Sequence, residues 1–344
     1  MSEKILEVKN LEVSFRTYAG ISHAVRGVDF YLNRGETLAI VGESGCGKTV
    51  TSKAIMGLLP ESNTEIKKGE GSAILFHGDN LLDYNEKQMS QIRGSKISMI
   101  FQDPMTSLNP TMKIGDQIME SILIHQDISK AEARNQALEM LKLVKIPNAE
   151  ERMKQYPFEF SGGMRQRAMI AVALACKPEI LIADEPTTAL DVTIQAQIME
   201  LIGSLQKELK MAVILVTHDL GVVASVADRI QVMYAGKIVE RGVVDEIFYK
   251  PSHPYTRALL NSVPKIHTNN KETLYSLKGT PPDLINPPAG CSFAPRCEYG
   301  MMVCRKRYPD ITRFSDSQEC SCWLYHPKAD TAGLPEDMIR RRAR

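Results

Sequence analysis

The spacing of apolar and polar positions changes along the chain and predicts its elements. Short alternating runs over residues 5–41 predict antiparallel strands, and the runs at 72–76 and 96–101 predict further strands. Residues 113–156 carry helical spacing, with Ile114, Ile118 and Ile122 on one face. Apolar strands at 180–183 and 213–216 then alternate with predicted helices at 162–175, 194–209 and 220–226. This order predicts an α/β fold whose parallel sheet binds a ligand at its C-terminal edge.

The bulk composition excludes some classes of protein. The 344 residues contain 42 Lys+Arg and 41 Asp+Glu, so a net charge of +1 provides no field that favours nucleic acid. No apolar run approaches the ~20 residues of a membrane span. The N-terminus, Met1-Ser2-Glu3-Lys4 followed by a strand pattern, does not resemble a signal peptide, so we expect a cytoplasmic protein. The basic C-terminal end from Arg340 allows two interpretations: it contacts anionic lipid, or it is a solvated tail.

A glycine-rich loop between an apolar strand and a helix pattern has the spacing G-x-x-x-x-G-K-T. It comprises Gly42, Glu43, Ser44, Gly45, Cys46, Gly47, Lys48 and Thr49. Such a loop, here called the P-loop, turns several backbone N–H groups toward a phosphate chain. Lys48 is placed to reach the β- and γ-phosphates, and the Thr49 hydroxyl to ligate Mg²⁺.

Two further stretches extend this chemistry. A buried-type strand ends in Asp184 and Glu185, which predicts a Mg²⁺ ligand followed by a base that polarises the attacking water. Ser161 opens a predicted helix through a Gly-Gly pair, which predicts a second anion site. One chain cannot easily aim both helix N-termini at one nucleotide. We therefore expect a head-to-tail dimer in which Ser161 closes over the partner's P-loop.

With these motifs in order over roughly residues 5–240, the chain resembles an ATP-binding cassette (ABC) ATPase. The resemblance implies ATP and Mg²⁺ as ligands, a parallel-sheet core, an antiparallel β subdomain and a helical subdomain at about 103–160. It also implies a role for each matched position. By this resemblance, Gln102 belongs to the Q-loop and contacts Mg²⁺ and the membrane partner, and the signature motif comprises Ser161, Gly162, Gly163 and Met164. Glu185 is then the catalytic base, Asp191 belongs to the D-loop and His218 is the switch histidine. The aromatic residue that stacks on adenine is Phe15 or Tyr18.

Cys46 occupies a P-loop position usually filled by a small or polar residue. One reading is a tolerated small side chain. The other follows from its place near a helix N-terminus, where a thiol has a lowered pKa and reacts with alkylators.

Five of the seven cysteines lie beyond residue 290. Cys291, Cys297, Cys304 and Cys322 stand on loops rich in proline and glycine, and Cys320 precedes the last of them. Four such thiolates suit zinc or an iron–sulfur cluster, and unligated thiols are the alternative.

The C-terminal stretch narrows the resemblance. Ser252 to Leu260, the run Gly279-Thr280-Pro281-Pro282 and the sequence Gly290 to Cys297 resemble the C-terminal extension of oligopeptide/dipeptide importer ATPases. We therefore divide the chain into an ABC ATPase domain (1–250), this extension (251–330) and a basic tail (331–344). In that family the cysteines of the extension hold a [4Fe–4S] cluster, which favours iron–sulfur with Cys322 as fourth ligand.

The resemblance implies an ATP-hydrolysing subunit that energises peptide import from the cytoplasmic face of the cell membrane. Its implied partners are a paralogous ATPase in a heterodimer, two permease subunits and, indirectly, an extracytoplasmic peptide-binding protein. Alternatives are a related importer for nickel or glutathione, an ABC protein outside transport, and an iron–sulfur redox or sensing protein regulated by the cassette.

Overall fold

A computed structural model describes residues 3–69, 71–188, 190–262, 277–330 and 333–342. Met1 and Ser2 of the N-terminal prediction and Ala343 and Arg344 of the predicted basic tail lie outside these residues. In the described residues no helix is long and apolar enough to cross a membrane.

The strands and helices that the sequence predicts up to residue 226 appear in the predicted order, and the elements after residue 226 are not among those predictions. The strands are β1 Lys4–Thr17, β2 Gly20–Asn33, β3 Thr37–Val41, β4 Thr64–Ile66, β5 Ala73–Phe76, β6 Asp79–Asn80, β7 Ile97–Ile100, β8 Ile180–Asp184, β9 Ala212–Thr217, β10 Arg229–Tyr234, β11 Lys237–Val243, β12 Ile311–Arg313 and β13 Glu319–Ser321. The helices are α1 Lys48–Ile55, α2 Glu86–Ile92, α3 Pro104–Ser107, α4 Ile114–His125, α5 Lys130–Leu143, α6 Ala149–Arg152, α7 Gly162–Leu174, α8 Val192–Leu209, α9 Leu220–Val226, α10 Val244–Tyr249, α11 Pro254–Asn261, α12 Met302–Lys306 and α13 Glu336–Arg342.

The central sheet has the order β12-β13-β11-β10-β3-β9-β8-β7. Five of its strands, from β10 through β3, β9 and β8 to the edge strand β7, are parallel to one another. Strands β3, β8 and β9 are buried along their whole length, as expected where helices cover both faces of a parallel sheet. Because the C-terminal ends of parallel strands share one edge, the residues that follow β3, β7, β8 and β9 meet there.

A second sheet, β2-β1-β5-β6 with β4 beside β1, is antiparallel. It matches the sequence prediction for residues 5–41 except at its end. Strand β3 lies in the central sheet, parallel to β9 and β10. All residues of β3 are buried, whereas a strand with one exposed face would alternate between buried and exposed residues. This burial is typical of a strand in a parallel sheet that is covered on both faces.

The helices predicted over residues 113–156 are present as α4, α5 and α6. Ile114, Ile118 and Ile122 of α4 are all buried in one core with α5 and α7. Ser129 begins α5 through a capping box with Glu132, which satisfies two N-terminal amides.

The C-terminal extension is joined to the central sheet by backbone pairing. Strand β13 pairs antiparallel with β11, so that Cys320 lies opposite Glu240. The buried Glu240 carboxylate accepts hydrogen bonds from the backbone N–H groups of Ser252 (2.7 Å) and His253 (2.8 Å). Burial raises the pKa of Glu240, because a charged carboxylate loses its hydration there. These contacts fix the start of the extension against the edge of the sheet.

Candidate functional site

The P-loop connects β3 to α1, and two of its glycines are required by close backbone contacts. A Cβ at Gly42 would lie 2.1 Å from the carbonyl oxygen of Met233. Gly47 has a φ of 108°, and its Cβ would lie 2.5 Å from the carbonyl oxygen of Ala24. No other residue type fits either position without displacing the chain. The loop therefore forms a narrow cradle lined by main-chain groups.

Lys48 is held inside this cradle. Its side chain is buried, and its ammonium donates to the carbonyl oxygens of Gly42 (2.7 Å) and Glu43 (3.0 Å). These bonds stabilise a cation at the mouth of the loop, where the sequence predicts contact with phosphate.

Beside it, Thr49 and Asp184 bring two oxygen donors together. The Thr49 hydroxyl donates to Asp184 Oδ1 at 3.0 Å. Burial raises the pKa of the Asp184 carboxyl, although the Thr49 bond opposes the rise. An oxygen-only donor set with one carboxylate fits Mg²⁺, which takes its remaining ligands from water and phosphate.

Glu185 is the centre of a second cluster. Its Oε2 accepts from Gln102 Nε2 and from the Thr188 hydroxyl, both at 3.0 Å. Its Oε1 lies 3.3 Å from Nδ1 of His218. The Glu185 side chain is 12% exposed and that of His218 56%, so the carboxylate is shielded while the imidazole faces solvent.

The backbone at Glu185 is left-handed, with a φ of 46°. Such a conformation costs of order 1 kcal/mol for a residue with a side chain and persists only where neighbours enforce it. The Glu185 N–H donates to the carbonyl oxygen of Val216 at 2.8 Å, which anchors this turn to β9. The sequence contains no direct signal for this strained turn or for the Thr188 contact, although the Pro-Thr-Thr stretch marks a turn.

The signature residues lie at the start of α7. The Ser161 hydroxyl accepts from the N–H of Met164 at 3.4 Å, so it acts as a helix cap. Gln166, one turn further, donates to the carbonyl oxygen of Pro186, which ties α7 to the turn after β8. Asp191 likewise caps α8 by accepting from the N–H of Ile194 at 3.0 Å. The bonds of Ser161 and Asp191 thus lie within their own helices, apart from the P-loop.

The two candidate aromatics differ in environment. Phe15, on β1, packs against the core cluster that contains Cys46, as does Val50. Tyr18 lies in the turn between β1 and β2 and is fully exposed.

Cys46 does not have the environment that its position suggests. It is 5% exposed and packs into the same core cluster. Burial raises the pKa of its thiol, and the nearby Lys48 only partly opposes this. Of the two interpretations, this burial agrees with a tolerated small side chain and opposes a lowered pKa. Proximity to a helix N-terminus has less effect here than loss of hydration.

Cys291, Cys297, Cys304 and Cys322 line one small pocket in the extension. Yet in the described ranges no group of three or more His, Cys, Asp or Glu side chains could hold a metal ion. The predicted [4Fe–4S] cluster is wrong on this finding, and zinc finds no support either. Burial instead raises the pKa of Cys291 to about 11 and of Cys297 to about 12, which keeps both thiols protonated near neutral pH. Cys320, buried in β13, does not line this pocket, but its side chain interacts with that of Cys322.

The extension also reaches the P-loop itself, which the sequence did not predict. Arg296 forms an ion pair with Glu43, and the Tyr255 hydroxyl accepts the Glu43 N–H at 2.8 Å. Arg296 stands in a stretch singled out for its cysteines, but nothing in the spacing pairs it with a residue 253 positions earlier.

Comparison with known proteins agrees with this geometry. Residues 25–188 match the family described as ABC transporter, and residues 239–304 match the oligopeptide/dipeptide transporter C-terminal region. The dipeptide transport ATP-binding protein DppD of Bacillus subtilis is 58% identical over 97% of this chain and 99% of its own length. The chain belongs to the ABC transporter family. It is an ATPase of that family, and the resemblance and fold class inferred from the sequence are confirmed.

Other relatives and solved structures are consistent with this. The oligopeptide transport ATP-binding protein OppD of Bacillus subtilis is 56% identical over 97% of this chain and 92% of its own length. The dimeric ATP-binding cassette MJ0796, solved in a post-hydrolysis state with ADP and Pi, has a TM-score of 0.61 and 28% identity. The match covers 70% of this chain and 98% of the MJ0796 chain. The matched relatives are DppD and OppD types, and none of these names supports a heterodimer. That sequence prediction is therefore wrong.

Proposed function

We propose that this ABC ATPase energises an importer for oligopeptides or dipeptides. In this proposal it works at the cytoplasmic face of the cell membrane against two permease subunits, which receive substrate from an extracytoplasmic binding protein. The names of the relatives, dipeptide and oligopeptide transport ATP-binding proteins, support the substrate class. The observation that carries the chemistry is the convergence of Gln102, Thr188 and His218 on Glu185, next to the Thr49–Asp184 pair.

In this proposal the P-loop amides and Lys48 bind the phosphates, and Phe15 or Tyr18 stacks on adenine. Thr49, Asp184 and Gln102 hold Mg²⁺. When bound, Mg-ATP supplies the γ-phosphoryl group and a cation that neutralises its charge. Such a reaction depends on positioning and charge stabilisation rather than on covalent chemistry.

Glu185 accepts the proton of the attacking water. Gln102 and Thr188 occupy one of its oxygens and so fix the direction of the other, which faces His218. Since His218 is exposed at this edge, it can also donate to the γ-phosphate. Gln102 sits in the loop after β7 that leads into the helical region, so a movement at the nucleotide passes to the permease through Gln102 and α4–α6.

The site is half of a pair. Ser161, Gly162, Gly163 and Met164 serve the nucleotide of a second cassette, while Asp191 lies at the joint between the two. The dimeric cassette found among the similar structures supports this arrangement. A monomer is then expected to bind ATP but to hydrolyse it poorly.

The test replaces Glu185 by Gln, which keeps the hydrogen bonds but removes the base. We expect turnover to fall about 10²- to 10⁴-fold while the Kd for ATP is retained. ATP hydrolysis and uptake of a labelled dipeptide are measured in vesicles that contain the permease. Glu139→Gln, on the exposed face of α5, is the matched control. Unchanged turnover in Glu185→Gln would remove Glu185 from the role of base, and uptake of nickel or glutathione instead of peptide would contradict the substrate class.

A further inference from the structure

Glu43, the second residue of the P-loop, is bound by an arginine of the extension. Arg296 Nη1 donates to Glu43 Oε2 at 2.6 Å and Nη2 donates to Oε1 at 2.9 Å. This is the planar, two-bond geometry in which guanidinium and carboxylate bind most strongly. The Arg296 side chain is 5% exposed and that of Glu43 27%, so the pair is shielded from solvent and salt, unlike a surface ion pair.

A second contact from the extension fixes the backbone of the same residue. The Tyr255 hydroxyl accepts the N–H of Glu43 at 2.8 Å. Tyr255 is fully buried, and its ring packs on Tyr234 and Phe293 with centroid distances of 4.5 and 5.4 Å. The aromatic cluster therefore leaves this hydroxyl little freedom to move.

Arg296 is itself held by the protein around it. Its Nη1 also donates to the Tyr234 hydroxyl at 3.2 Å, and its Nε donates to the carbonyl oxygen of Lys278 at 3.0 Å. The hydrogen bonds to Glu43 raise the pKa of Arg296, so the guanidinium stays charged. Arg296 is thus anchored to the extension through its Nε, while its two Nη groups reach Tyr234 of β10 and Glu43 of the P-loop.

The backbone carbonyl of Glu43 contacts Lys48, the residue expected to bind phosphate. Its carbonyl oxygen accepts from Lys48 Nζ at 3.0 Å. Glu43 therefore links the extension, through its carboxylate and N–H, to the lysine expected to contact phosphate, through its carbonyl. A shift of Glu43 moves the peptide that holds Lys48.

We propose that Arg296 and Tyr255 are positioning residues for ATP binding, which hold the P-loop in its phosphate-binding shape from the C-terminal extension. This rests on the ATP-binding role proposed above for residues 42–49. Neither residue touches the reacting atoms. The extension thereby acts on the ATPase site directly, besides adding strands to the sheet.

The experiment titrates a fluorescent ATP analogue with Mg²⁺ into the full-length protein and measures its ATPase kinetics. We expect Arg296→Ala to raise Kd and KM for ATP about tenfold, with a smaller change in kcat, because loop geometry rather than the base is disturbed. Arg296→Lys is expected to restore part of the affinity, since it keeps the charge but not the two-bond geometry. Arg305→Ala, an exposed arginine of the same extension, is the matched control and is expected to bind as wild type.

A double-mutant cycle separates positioning from mere stability. If the contact acts through Glu43, Arg296→Ala adds little to the affinity lost in Glu43→Gln. Thermal unfolding is followed in parallel, and Tyr255→Phe, which keeps the ring but removes the acceptor, serves if Arg296→Ala does not fold. Folded Arg296→Ala and Tyr255→Phe proteins that bind ATP as wild type, even with a lowered Tm, would overturn the inference. Wild type that binds no ATP would instead overturn the proposed function.

Discussion

The P-loop cluster and the cysteine pocket of the extension both look like ligand sites in the sequence, but they differ in the structure. In the first, the Thr49 hydroxyl lies 3.0 Å from Asp184 Oδ1, and the Glu185 carboxylate contacts three polar side chains. In the second, four cysteines line one pocket, yet the described part of the chain contains no group of three or more His, Cys, Asp or Glu side chains that could hold a metal ion.

The difference lies in how each pattern controls geometry. The P-loop is one contiguous segment between a strand and a helix, so its spacing determines where its backbone amides and Lys48 point. The cysteines come from separate loops, and their spacing says only that they can be near one another. Burial raises the pKa of Cys291 to about 11 and of Cys297 to about 12, so these two are protonated thiols near neutral pH.

The largest effect is expected at Lys48. Replacing it by Ala removes a buried cation that is held by two loop carbonyls and that, in the proposed function, binds the phosphates. Loss of charge-assisted hydrogen bonds of about 1.5–3 kcal/mol predicts a Kd for ATP raised about tenfold to a hundredfold. Calorimetric titration with Mg-ATP checks this, with the exposed Lys130→Ala as control. An unchanged Kd would mean that the P-loop cluster, like the cysteine pocket, only resembles a ligand site.

A second effect concerns the stability of the extension. Burial lowers the pKa of His253 to about 3. Between that value and about 6.5 the folded protein binds fewer protons than the unfolded chain, so stability falls as the pH falls. From pH 7 to pH 5 this one residue is expected to cost about 2 kcal/mol of the free energy of unfolding.

Denaturant unfolding of wild type and His253→Asn at both pH values measures that loss. The Asn oxygen can still accept the Tyr255 N–H that His253 Nδ1 accepts, while the titration is removed. The comparison between variants is needed because the raised pKa of Glu240 acts in the opposite direction. The exposed His326→Asn serves as control. An equal pH dependence in wild type and His253→Asn would contradict the assignment.

The smallest effect is expected in the cysteine pocket. Because the described residues contain no group of His, Cys, Asp or Glu side chains that could hold a metal ion there, Cys304→Ser is expected to lose only the fit of a buried thiol, about 1 kcal/mol of stability. The Kd for ATP is expected to stay unchanged. Thermal unfolding and elemental analysis of anaerobically purified protein check both points. Stoichiometric iron in wild type that disappears in Cys304→Ser would reverse the comparison between the two regions.

Much of the fold was predictable because local patterns agree with it. Predicted helices at 162–175 and 194–209 correspond to α7 and α8, and the face of Ile114, Ile118 and Ile122 is buried as expected. Strand β3 was assigned to the antiparallel set, although its unbroken apolar run belongs to a sheet covered on both faces. Strand β13 was not predicted, since three residues carry too little periodicity.

The sequence by itself determined the glycine-rich loop after β3, the two carboxylates at the end of β8 and the ABC family, because each depends on contiguous residues whose backbone geometry follows from their type. Tertiary structure alone decided the rest. It buried Cys46 and raised its pKa, raised the pKa of Cys291, and brought Arg296 onto Glu43 across 253 positions. Burial and long-range pairing depend on how β11, β13 and the aromatic cluster pack, and no local pattern encodes that packing.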